Sequence, residues 1–210
     1  MNYTKQTFKI DECITFCKTN EKYGGLSNMA GNYPIYLNGT KILTSEALYQ
    51  ACRFPNYPEI QDEIIRQRSP MTAKDISRKY ERYTREDWQQ KRIPIMNWCI
   101  HLKLVYNWRR FGRLLESTED KNIVEISYKD NFWGAYKEGI YAIGCNVLGQ
   151  LLQLTRNDFK ENQEKQYITL GLPNVKRFIF LGEYITELRI DVTKNYHENE
   201  NLNLFDDFNL

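Results

Sequence analysis

The chain has 210 residues, 41% hydrophobic and 14% aromatic, which suffices for one sizeable core or a core with an appendage. Its 29 basic and 27 acidic residues leave a net charge of +2. That excludes a global field driving polyanion binding and leaves contact with nucleic acid to a local patch. No stretch approaches the ~20 apolar residues of a membrane helix, and "MNYTKQTFKIDECITF" has no apolar run of signal-peptide length. No membrane association is expected. Cys13, Cys17, Cys52, Cys99 and Cys145 are scattered, and Cys13-x-x-x-Cys17 has no second pair to complete a zinc site. They are expected to be reduced thiols of a cytoplasmic protein.

In chain order, "FKIDECITFC" alternates as an early strand, and "YGGLSNM" follows as a glycine turn. "YPIYLNGTKIL" predicts a hairpin about Asn38-Gly39. Thr44 or Ser45 caps a helix through "EALYQACRF", closed by Pro55. "PEIQDEIIRQR" predicts a second helix, and Ser69-Pro70 starts a third. Trp88 to Tyr106 has helical periodicity, interrupted or restarted at Pro94, with Ile95, Trp98, Cys99, Leu102 and Tyr106 on one face. "NIVEIS" predicts a short strand. Asn146 to Arg156 predicts an apolar helix, 158–168 a polar linker, and "VKRFIFLGEYITELRIDV" strands broken at Gly182. From Lys194 onward the asparagine-rich, acidic chain is expected to be loosely attached.

Two stretches carry candidate chemistry. In "TSEALYQACRF", Leu48, Ala51 and Cys52 share one helix face, while Glu46, Gln50 and Arg53 share another. That polar face is either solvated or a site, with Glu46 as a catalytic carboxylate and Arg53 as a phosphate or tuning cation. In "DNFWG", Asp130 offers a second carboxylate. Phe132 and Trp133 either plug the core or stack on a base. Gly144 and Gly149 flank Asn146, which is placed to cap the next helix and make its N-terminus a phosphate seat. Cys145 and His101 lack any nucleophile motif, His197 lies in the polar tail, and "RQR" and "WRRFGR" read as solvated basic faces.

"YGGLSNM", "TSEALYQACRF", "SPMTAK", "TREDW" and "FWG…GCNVLGQLL" stand in the order found in the NADAR, or YbiA-like, family, and the chain resembles that family over residues 12–156. The resemblance implies an N-glycosidase that cleaves the bond between a ribose carbon and a base-like nitrogen. The known substrates are phosphoribosylated pyrimidine intermediates of riboflavin synthesis and ADP-ribose on guanine in nucleic acid. Carried over by position, it implies Glu46 as the catalytic carboxylate; Asp130, offered by the residues of the "DNFWG" loop themselves, is the second catalytic candidate. Asn28, Arg53, Ser69, Met71, Trp88, Trp133, Gly134, Asn146 and Gly149 are implied to bind substrate. No metal or cofactor is required. Departures are Ala135-Tyr136 where some relatives carry an acid, Gln153 where methionine is common, and a longer interval from Trp133 to Asn146.

The expected architecture is α+β, a helix-rich YbiA-like domain with a small sheet over residues 8–157, then a C-terminal extension, 158–210, partly strand with a polar tail. The expected activity is removal of ADP-ribose from guanine in nucleic acid. Tyr136, Lys137 and Tyr141 of the longer loop are expected to embrace the substrate, and Lys160, Lys165, Lys176 and Arg177 to contact the backbone of single-stranded DNA or other nucleic acid. Hydrolysis of a phosphoribosylamino-pyrimidine is the alternative, as is a non-catalytic ADP-ribose-binding module.

Overall fold

The structure, a computed structural model, describes residues 3–194 and Tyr196; the remainder of the polar tail, with His197, lies outside the described residues. The early strand is two: β1 (Gln6–Lys9) and β2 (Ile14–Phe16), separated by a 3-10 turn over Ile10–Glu12. β3 (Ile35–Leu37) and β4 (Thr40–Ile42) form the expected hairpin. Asn38 and Gly39 take φ of 48° and 72°, the left-handed pair a two-residue turn requires.

Among the described residues six α-helices build most of the body. α1 (Ser45–Ala51) is capped by Thr44, whose Oγ1 accepts from Ala47 N at 3.1 Å. α2 is Pro58–Ile65, and α3 (Pro70–Lys79) starts at Ser69, whose Oγ accepts from Thr72 N. α4 runs from Trp88 to Tyr106 without interruption at Pro94. The N–H that the proline lacks costs one bond to the preceding turn, and the buried stripe of Ile95, Trp98, Cys99 and Leu102 beyond it holds the helix together. α5 (Trp108–Glu116) was not anticipated as a separate helix; Phe111 and Leu115 bury one face of it. β5 (Ile123–Glu125) pairs parallel with β2. β6 (Tyr136–Glu138) and β7 (Tyr141–Gly144) form a hairpin, and β7 pairs with β1 to complete a three-stranded antiparallel sheet.

α6 (Val147–Asn162) extends past Arg156 into the stretch expected to be a linker, because Phe159 is buried there, its ring 4.9 Å from that of Trp108. β8 (Tyr167–Leu170) pairs with β11 (Leu188–Asp191), and β9 (Ile179–Phe180) with β10 (Glu183–Tyr184) through a turn at Gly182. These late strands join the main core: Phe178, Phe180, Ile190 and Val192 pack into the cluster that holds Leu48, Trp98 and Leu151. The fold is α+β and helix-rich, its strands split among several small sheets rather than one. Among the described residues no helix is long and apolar enough to cross a membrane.

Candidate active site

All of α1 is buried, its polar face included: Glu46 is 6% exposed and Gln50 4%. The face is therefore not solvated, and a buried polar group needs partners. Gln50 Nε2 donates to Glu46 Oε1 at 2.8 Å, and Glu46 N donates to Asn28 O. Ser45 Oγ lies 3.1 Å from Asn28 Oδ1, fixing the "LSN" turn against the start of α1. The same turn is held from below by Lys103, whose Nζ donates to Gly25 O and Ser27 O at 2.6 and 2.9 Å. Burial pushes that ammonium well below its ordinary pKa. The faces of Tyr33 and Phe111 cover it.

The Asp130–Gly134 loop is set by main-chain bonds. Asp130 Oδ1 accepts from the N–H groups of Phe132 and Trp133 at 2.8 and 2.9 Å, closing a side-chain turn. The carbonyls of Asn131, Phe132, Trp133 and Gly134 accept from Cys145, Val147, Leu148 and Asn146. The first amides of α6 are thereby consumed, and the expected phosphate seat at this helix N-terminus is overturned. Asn146, at φ 47°, makes no side-chain cap. Its Oδ1 instead accepts from Glu125 N at 3.1 Å and its Nδ2 donates to Ile123 O at 2.8 Å, clamping β5 to α6.

α1, α3, α4, β5 and this loop enclose a cavity of about 250 Å³. Trp88, Tyr49 and Trp133 form an aromatic wall, with Tyr49 4.9 Å from Trp88 and 5.8 Å from Trp133 between ring centroids. Three cations line it: Arg53, Lys74 and Arg92. The Arg53 guanidinium donates to Gln50 Oε1, Ser77 Oγ and Thr84 Oγ1 and lies over Trp88. Arg92 lies 3.9 Å from the centroid of Phe132. Among the described residues neither Arg92 nor Lys74 meets an acid closely enough to form a salt bridge, and Nε of both arginines is buried without a hydrogen-bond partner. Three carboxylates face them: Glu46, Asp130 and Glu125. Glu125 is pushed up to about 7, first by desolvation and then by the charges of Glu46 and Asp130. Two carboxyl groups held in such different surroundings are the arrangement acid–base chemistry needs.

Of the expected site residues, the cavity gathers Glu46, Asp130, Asn28, Arg53, Trp88 and Trp133. The others lie outside its lining. Ser69 caps α3, and Met71 is 55% exposed on that helix. Gly134 and Gly149 are close-approach positions, where a Cβ would stand 2.6 Å from Glu125 O and 2.0 Å from Ile123 O. With Asn146 they place Glu125 and Trp133 without lining the cavity themselves. The interval from Trp133 to Asn146 is not a lid: Tyr136, Lys137 and Tyr141 belong to the β6–β7 hairpin, away from the cavity lining. Sequence reasoning missed Glu125, Lys74 and Arg92. Lys74 stood inside the quoted "SPMTAK", whereas nothing local marked the other two.

Comparison with known proteins shows the family of the chain. The NADAR domain family profile matches residues 15–160. A riboflavin biosynthesis protein of Vibrio vulnificus is 32% identical over 73% of this chain, the match spanning 40% of that protein's own length. N-glycosidase YbiA of Escherichia coli is 32% identical over 70% of this chain and 88% of its own. The NMR structure of YbiA superposes with a TM-score of 0.63 at 31% identity, covering 74% of this chain and 89% of that one. The chain belongs to the NADAR domain family.

Proposed function

We propose that the protein is an N-glycosidase, hydrolysing the bond between a ribose carbon and a base nitrogen. The observation that carries this reading is the convergence of Glu46 and Glu125 on one aromatic-walled cavity that also holds three cations. Departure of the base leaves positive charge on the ribose, which a carboxylate stabilises. In the scheme this supports, Glu46 takes a proton from water as the water oxygen bonds to the anomeric carbon. Glu125, holding its proton up to about pH 7, delivers it to the leaving nitrogen as the carbon–nitrogen bond breaks. Arg92 and Lys74 receive phosphate, and Trp133 and Trp88 wall the rings. Asp130, with Oδ1 committed to its loop, raises the Glu125 pKa rather than carrying the proton.

The substrate proposed is ADP-ribose on guanine in nucleic acid. The rival is a phosphoribosylamino-pyrimidine, favoured by the small cavity and by relatives named for riboflavin biosynthesis. A side-by-side assay separates them: ADP-ribosylated guanine in single-stranded DNA against the pyrimidine intermediate. Hydrolysis of the pyrimidine alone reverses the substrate and keeps the reaction. Glu46→Gln is expected to abolish turnover while retaining ADP-ribose binding. A folded variant with wild-type turnover removes Glu46 from the chemistry, and wild-type binding with no turnover of either compound leaves a binding module.

A further inference from the structure

A second cleft, of about 510 Å³, lies against the first. Thr84 lines it, and Thr84 Oγ1 accepts from the Arg53 guanidinium of the cavity wall at 3.1 Å. Arg53 O in turn accepts from Arg85 N at 2.8 Å. The two spaces are thus separated at this point by the contact of Arg53 with Thr84.

Arg82, Arg85, Lys176 and Arg177 line this cleft against Glu86 and Asp87, a local excess of two positive charges. Asp87 is already committed to Arg85, through Nε and through Nη2. That leaves Arg82, Lys176 and Arg177 facing only Glu86. Lys176 and Arg177 are exposed and, among the described residues, neither forms a salt bridge. Their backbone is fixed: Arg85 Nη2 donates to Lys176 O at 2.8 Å, Lys91 Nζ donates to Asn174 O at 2.7 Å, and Phe178 is buried with its ring 4.8 Å from that of Trp98. Tyr57 and Tyr83 add aromatic surface beside these cations. Anchored cations interleaved with rings are the recognition chemistry of a single-stranded phosphodiester chain.

We propose that this cleft holds the backbone of a single-stranded nucleic acid whose ribosylated base occupies the neighbouring cavity. The inference rests on the N-glycosidase reading for what enters the cavity, and on the cleft alone for binding the strand. A polymer fits better than a free nucleotide because Lys74 and Arg92 are already assigned to the phosphate of the bound unit. A second set of cations beyond the wall suits the phosphates that follow it. Lys176 and Arg177 lie outside the matched residues 15–160, whereas Arg82 and Arg85 lie within them.

The test uses the full chain with Lys176→Glu/Arg177→Glu, and Lys176→Gln/Arg177→Gln as the milder pair should the first unfold. Binding of an unmodified single-stranded DNA oligonucleotide is followed by fluorescence anisotropy across salt concentrations, beside binding of free ADP-ribose. For the charge-reversal pair we expect at least a tenfold loss of DNA affinity. The log–log salt slope is expected to become shallower by about 1.4, two single-strand contacts at about 0.7 each. ADP-ribose affinity should be unchanged. On ADP-ribosylated guanine in the oligonucleotide, KM should rise with kcat preserved. Unchanged DNA affinity overturns the proposal, as does equal loss of ADP-ribose binding, which would assign the cleft to the small nucleotide. DNA binding lost in the variants, with no N-glycosidase activity in the wild type, would keep the cleft and reject the reaction instead.

Discussion

Glu125 and Glu46 share a cavity but not an environment. Glu46 accepts from Gln50, whereas Glu125 is desolvated and faces two other carboxylates. Its folded pKa stands near 7 against an ordinary 4.5. Between those values the folded chain keeps a proton that the unfolded chain releases. The contribution of Glu125 to stability is therefore full below about pH 4.5 and is lost as pH rises to about 7, by up to roughly 3 kcal/mol. Glu125→Gln is expected to flatten that fall in melting temperature between pH 5 and 8. It should also remove the alkaline limb near pH 7 from the kcat/KM profile; an unchanged limb would assign the proton elsewhere. Trp133→Ala is expected to weaken ADP-ribose binding by about 1–3 kcal/mol, as loss of a stacking ring does. A large fall in melting temperature with affinity intact would instead make it a core residue. Glu46 was legible because its helix motif is contiguous. Glu125 was not: in "NIVEIS" it alternates with Val124 and Ile126 as any solvent-facing strand position does. Its place at the cavity depends on contacts distant in sequence, Asn146 Oδ1 accepting from its N–H and its carbonyl accepting from Ala135 N.

Among the elements, those with local punctuation were readable. Asn38-Gly39 dictates its turn, and Ser69-Pro70 its helix start. Extents set by distant packing were not. α6 continues to Asn162 because Phe159 meets Trp108, and α4 passes through Pro94 because the stripe behind it is buried. The β5–α6 contact shows how far an element can matter to the site. Gly149→Ala would place a Cβ 2.0 Å from Ile123 O, which belongs to backbone and cannot swing aside. The strand and helix must then part, shifting Glu125. We expect a loss of about 1–3 kcal/mol in stability and a lower kcat, read by denaturant melts and steady-state assay. Wild-type values for both would make the close approach dispensable.

At the scale of the molecule, the family match ends at residue 160 while the hydrophobic core continues to Val192. The segment leading into β9 contributes Phe178 and Phe180 to the interior and Lys176 and Arg177 to the surface; the two cations were legible as exposed charge, whereas the burial of the two rings against the helices was not. The chain thus joins a family scaffold to an addition that shares its core. The bonds between the Asp130–Gly134 loop and the start of α6 have a kinetic consequence. A wall carrying Trp133 that is stitched to a helix by successive main-chain bonds cannot swing open without breaking them together. Ligand capture should then proceed without a gating step, its rate set by diffusion and charge and its saturation curve free of a slow closing phase. Amide hydrogen exchange reads this directly. The N–H groups of Val147 and Leu148 are expected to exchange only by the deepest openings of the fold, at rates ADP-ribose alters no more than it alters global stability. Fast exchange in the free protein that slows selectively on ADP-ribose addition would reveal a hinge in a wall that should behave as part of the frame.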